Sequence, residues 1–187
     1  MGPRFESGHA LLIVDVQNDF CPGGALAVVD GDRVVPVLNR WIEAATRSAT
    51  PVFASRCWHP RGHVSFVERG GPWPAHCVQG SHGAELRADL RRDGVTAIVD
   101  KGTDADRDAY SAFDGTDLGE RLRGLDVRQL FVGGLALDYC VRATVLEGLR
   151  QGFAVQLILA ATRAVELRPG DGERALSEMR AAGTVVL

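Results

Sequence analysis

Residues 10–16 form an apolar run broken only by Asp15 near its end, the pattern of a strand buried on both faces of a sheet. Beyond the turn at Pro22-Gly23-Gly24, residues 30–48 place Val34, Val35, Leu38, Trp41, Ile42 and Ala45 on one stripe. That spacing predicts an amphipathic helix, with Asp30 or Asp32 as its cap. Residues 51–57 read as a second strand. Residues 58–83 show no period and are rich in Gly, Pro, His and Trp, and a loop this long in a compact domain is usually functional. Residues 84–92 predict a short helix, 96–100 a third strand, 118–123 a short helical piece and 129–135 a fourth strand. Residues 140–151, with Val141, Val145 and Leu149 four apart, predict a helix. A fifth strand at 153–159, a helix at 171–181 and a terminal strand at 184–187 complete the series. Strands alternating with helices predict an α/β fold. It is a single doubly wound domain over residues 10–187, with a mostly parallel six-stranded sheet flanked by helices. Residues 1–9 form a short N-terminal tail.

Composition narrows the class. The 187 residues are 45% hydrophobic and 24% charged, enough to build one full core. A net charge of −3 offers no basic surface for nucleic acid or an anionic membrane, and no apolar run is long enough to span one. The four cysteines have no repeating spacing and no leader-like segment precedes them, which reads as free thiols in a reducing, cytoplasmic setting. Whether the chain works alone or as a homo-oligomer stays open. Lys101 is the single lysine in an arginine-rich chain, and lysine can act as a compact point charge where arginine cannot.

Three strand ends carry chemistry. Cys140 follows an apolar run and a small-residue turn, opening an amphipathic segment, so its thiol falls at a helix N-terminus that favours a thiolate. The ordinary alternative is a small buried packing residue. Asp15 and Lys101 also lie at or just past strand ends, the edge where such sheets bind ligands. Taken singly, each is a strand cap or a surface charge. Together they supply a nucleophile, a proton acceptor and a cation that lowers both neighbours' pKa values, the set needed to attack an amide carbonyl. Backbone N–H groups near Ala136 and Cys140 supply an oxyanion hole.

Four ordered motifs resemble one family. Asp15-Val16-Gln17-Asn18-Asp19-Phe20-Cys21-Pro22-Gly23-Gly24 and Lys101-Gly102-Thr103 with Asp108-Ala109-Tyr110-Ser111-Ala112-Phe113 are similar to the first two motifs of the nicotinamidase/pyrazinamidase group of isochorismatase-like cysteine hydrolases. Gly134-Leu135-Ala136-Leu137-Asp138-Tyr139-Cys140-Val141 resembles the nucleophile motif, and Trp73-Pro74-Ala75-His76-Cys77-Val78-Gln79-Gly80 a loop motif of nicotinamidases. The resemblance implies an Asp15–Lys101–Cys140 triad and a cis peptide between Leu135 and Ala136. It also implies a substrate pocket in which Phe20 and Trp73 flank an aromatic ring, with Tyr110, Leu135, Ala136 and Tyr139 nearby. The implied reaction is conversion of nicotinamide, and of pyrazinamide, to nicotinate or its analogue and ammonia through a cysteine acyl-enzyme, in NAD salvage. The rival readings are a cysteine hydrolase of another small amide or carbamoyl compound, and a non-catalytic ligand-binding relative.

The resemblance further implies one divalent metal, held by an Asp-x-His pair and a later His, that receives the pyridine nitrogen. His59 and His76 match the two histidines, and His63 a further one that ligates in some members. Cys57 stands where that pattern has the aspartate. A thiolate is a soft ligand, so zinc is expected over iron or manganese. Leu137, where relatives often carry a hydroxyl, is a second departure.

Overall fold

The computed structural model describes residues 3–187. Six parallel strands form one sheet: β1 (His9–Val14), β2 (Val52–Cys57), β3 (Ala97–Lys101), β4 (Gln129–Leu135), β5 (Ala154–Arg163) and β6 (Val185–Val186). Their order is β3-β2-β1-β4-β5-β6. The chain steps outward from β1 to β3, then crosses back to lay β4 on the other side of β1. The β1/β4 junction is therefore the topological switch point, where crossovers leave in opposite directions and open a crevice at the carboxyl ends. Every strand pair is parallel, so the sheet is wholly rather than mostly so.

Four helices cover it: α1 (Val34–Arg47), α2 (Leu118–Gly124), α3 (Arg142–Arg150) and α4 (Asp171–Ala181). On β4, Gly133 faces Leu38 of α1, whereas Leu130 faces Gly148 of α3. Those two strand positions have opposite parity, so α1 and α3 lie on opposite faces. The α1 stripe is buried as its spacing requires, through Val34, Val35, Leu38, Ile42 and Ala45. Trp41 sits at the stripe's edge, its ring 5.8 Å from Phe5 and 5.4 Å from Phe131. No helix among the described residues is long and apolar enough to cross a membrane.

Three local expectations are corrected. Residues 85–92 are not helical, and Ala84 only ends a 3₁₀ turn, His82–Ala84. Leu86 bridges Gln17 in antiparallel fashion, and the backbone N–H of Arg87 donates to Val16, so pairing and burial of Leu86 and Leu90 override helical propensity. Neither Asp30 nor Asp32 caps α1: Asp30 adopts a left-handed conformation before a 3₁₀ turn at Gly31–Arg33, and no side chain bonds the helix end. Cys140 does not open an α-helix; it lies in a π-helical turn, Leu137–Val141, that leads into α3.

Candidate active site

Register brings the site together. Cys57 and Lys101 are paired neighbours on β2 and β3, and Asp15 follows β1 directly. Asp15 takes a left-handed turn (φ 49°), with its N–H donating to Ser55 O at 3.1 Å, and the Ser55 hydroxyl donates to Asp15 Oδ1 at 2.7 Å. Lys101 reaches back over the sheet to put Nζ 2.9 Å from Asp15 Oδ2, 3.0 Å from Cys57 Sγ and 3.5 Å from Cys140 Sγ. The Ala109 carbonyl accepts a further, 3.3 Å bond from Nζ. Asp15 and Lys101 are fully enclosed beneath Cys140.

A desolvated cluster of one ammonium and three acidic groups must share its charge. Burial pushes the Asp15 carboxyl up to about 6, the Cys57 charge adds to this, and Lys101 and Ser55 pull the other way. The Cys57 thiol lies well below its usual value because Cys140 donates to its sulfur and, against burial, Lys101 and His59 stabilise the anion. Cys140 is held above its usual value by that same hydrogen bond and by burial. Of the two sulfurs Cys57 is thus the more acidic and Cys140 the less, and Cys57 Sγ also lies 3.6 Å from Asp15 Oδ2.

Cys140 opens onto a cleft lined by Phe20, Trp73, Tyr110, Tyr139, Ala136 and Val165, among others. Trp73 Nε1–H donates to the Tyr110 hydroxyl at 2.9 Å, and the Trp73 and Tyr139 rings meet edge to face at 5.0 Å. A flat aromatic cleft with few polar groups is the shape of a heterocycle site. Leu135 is buried below it rather than in its wall. The Leu135–Ala136 peptide is cis, as the motif implies. The Ala136 carbonyl accepts the N–H groups of Tyr139 and Val141, which winds the turn carrying Cys140 tightly around it.

The histidines divide into two kinds. His59 Nδ1 bonds the Gly102 carbonyl at 2.9 Å, and His76 Nδ1 bonds the Pro74 carbonyl at 2.8 Å. This pins both rings where they line the cleft, as the outer hydrogen bonds of metal-binding imidazoles do. Burial opposes charge on His59, but Cys57 outweighs it and holds that ring above its usual pKa; burial lowers His76. His63 has both nitrogens engaged, Nδ1 with Ser65 Oγ at 2.7 Å and Nε2 with the Arg107 carbonyl at 3.1 Å. Cys57, His59 and His76 line one cleft as a sulfur and two pinned imidazoles, donors of the type a divalent metal takes, although their ligand atoms do not all lie within 4.8 Å of one another. Asp15, Cys57 and Cys140 do offer ligand atoms within 4.8 Å of one another, but the Lys101 ammonium already sits among them, so that trio is an ion-pair cluster.

Three residues inside the four motifs, to which the sequence assigned no role, support the site. Gln17 clamps Cys57 from both sides, its Nε2 donating to Cys57 O and its Oε1 accepting from Cys57 N, both at 2.8 Å. Asp19 accepts from the Cys77 N–H at 2.7 Å and fastens the histidine loop to β1. Asp138 accepts from the N–H groups of Val165 and Glu166, each at 2.9 Å, joining the nucleophile turn to the loop before α4.

The isochorismatase-domain family model matches residues 9–187. The chain belongs to the isochorismatase family, in its nicotinamidase/pyrazinamidase group. This isochorismatase-family chain is 41% identical to the nicotinamidase of Escherichia coli (strain K12), over 95% of its own length and 93% of that protein's. Among solved structures it is similar to a Pyrococcus horikoshii pyrazinamidase in complex with zinc, at 47% identity and TM-score 0.90, covering 96% of this chain and 98% of that one. It is also similar to an L. infantum protein in complex with nicotinate, at 36% identity and TM-score 0.90, covering 100% and 96%.

Proposed function

We propose that the protein hydrolyses nicotinamide, and pyrazinamide, to the corresponding acid and ammonia, a step of NAD salvage. One observation carries the reading: Lys101 Nζ lies 2.9 Å from Asp15 and 3.5 Å from Cys140 at the floor of an aromatic cleft. The relatives named nicotinamidase and the nicotinate-bound neighbour support that substrate class.

Asp15, with its carboxyl raised to about 6, is still mostly ionised at neutral pH and takes the Cys140 proton as sulfur adds to the carboxamide carbon. Lys101 holds the emerging anions in place. The backbone N–H groups of Ala136 and Cys140 receive the oxyanion. Asp15 returns its proton to the departing nitrogen, which leaves as ammonia, and the thioester remains on Cys140. Asp15 then deprotonates water, which releases the carboxylate and restores the thiol. Phe20, Trp73, Tyr110 and Tyr139 sandwich and orient the ring.

Cys57, His59 and His76 would hold the metal, zinc by the softness of the thiolate, and the zinc-bound neighbour supports that choice. When bound, the metal supplies a Lewis-acid position for the pyridine nitrogen. The test is ammonia release from nicotinamide, pyrazinamide and small carbamoyl compounds, beside metal content. Turnover of a carbamoyl compound with none of nicotinamide would replace this reading with the other small-amide hydrolase.

A further inference from the structure

Cys57 gives this active site a second sulfur that the amide chemistry does not need. Its Sγ and that of Cys140 lie within 4.8 Å of each other and share one ammonium, at 3.0 and 3.5 Å from Lys101 Nζ. Both residues line the same cleft, Cys57 at 3% and Cys140 at 6% exposure. The other cysteines, Cys21 and Cys77, are wholly buried and line no part of the cleft. Cys140 sits in a π-helical turn, a local widening of the helix frequent at functional sites.

We propose that Cys140 and Cys57 form a peroxide-responsive dithiol, in which oxidation of the nucleophile is captured as a reversible Cys57–Cys140 disulfide. The Cys140 sulfur, passing its proton to Asp15 as in the amide reaction, attacks one oxygen of a hydroperoxide; the O–O bond breaks, giving Cys140 sulfenic acid and a hydroxide, or an alkoxide, that takes the proton back from Asp15. The Cys57 sulfur then attacks the Cys140 sulfur, an S–S bond forms, and the sulfenic hydroxyl leaves as water with the Cys57 proton. Two thiols and one peroxide yield one disulfide and, for hydrogen peroxide, two waters. The bond occupies the nucleophile and shields it from irreversible over-oxidation. A carboxylate at position 57 has no sulfur with which to do this.

The test treats the purified, reduced protein with hydrogen peroxide and digests it without reductant. The expected product is a Cys57-peptide joined to the Cys140-peptide, two hydrogen atoms lighter than their sum, with amidase activity lost and then recovered in dithiothreitol. Cys57→Ser and Cys57→Asp should instead carry Cys140 as sulfinic or sulfonic acid that dithiothreitol does not reverse. The activity arm rests on the amide-hydrolase reading, whereas the peptide mass does not, so a failure of each is separable. Wild-type protein over-oxidised at Cys140 with Cys57 still a free thiol would overturn the proposal. So would a Cys57→Ser protein whose oxidised Cys140 is as reversible as in wild type.

Discussion

Lys101 and Asp15 make a 2.9 Å ion pair in which neither side chain has any contact with solvent. Each charge is tolerated in the interior chiefly because the other is there, with Ser55 bonding Asp15 and Cys57 bonding Lys101 as well. Asp15→Asn or Lys101→Met should therefore lower stability by about 3–5 kcal/mol, the cost of leaving one buried charge unpaired. The double variant should recover part of that loss, as read by urea denaturation, while all three remain inactive. A single variant with native stability would mean that the pair is a functional accessory and not part of the fold's support.

Cys140→Ala should keep the wild-type melting temperature within a few degrees and lose roughly 10⁴- to 10⁶-fold in kcat, since triad members act as a unit. Combining it with Asp15→Asn should add little further loss of activity. Ammonia release at a near-normal rate from Cys140→Ala would remove the covalent route.

The two kinds of histidine predict a split in metal content. His59→Ala and His76→Ala should each lose most of the bound metal and raise KM, because each removes an oriented imidazole. His63→Ala should retain the metal, as both its nitrogens already serve Ser65 and Arg107. Elemental analysis of the three variants decides it, and metal loss in His63→Ala alone would reverse the assignment.

Cys57→Asp should keep a metal but widen the choice toward manganese and iron, because carboxylate is harder than thiolate. Competition between zinc and manganese, followed by metal content, reads this directly. An unchanged preference for zinc would show that Cys57 is not a ligand.

Gly134→Ala should not yield stable protein. The glycine has φ +130°, and an added Cβ would fall 2.0 Å from the Val14 carbonyl oxygen on the neighbouring strand. Thermal unfolding or soluble yield tests this, and wild-type behaviour would mean that β1 and β4 can part without penalty.

Much of this was legible in the chain because strand ends announce themselves. Asp15, Lys101 and Cys140 could be gathered to one edge from hydrophobic runs alone, and the parallel order makes that edge common to all three. What was hidden depends on contacts between distant segments. The helix expected at 84–92 yields to pairing with Gln17. Gln17 itself joins the backbone at Cys57 and at Ala84, 40 and 67 positions away, which no local pattern records. The sequence singled out Cys57 as a ligand, but only the register beside Lys101 shows that the same sulfur belongs to the buried charge cluster with Asp15 and Cys140.

The Gln17 clamp has a bearing on how such a site changes over time. It grips the N–H and the carbonyl of residue 57 and makes no demand on the side chain between them. Position 57 is thus a socket: sulfur, carboxylate or hydroxyl can be exchanged there while the strand end stays where it is. A protein built this way can trade one metal preference for another, or gain and lose sensitivity to oxidants, by a single substitution that leaves the neighbouring nucleophile in place.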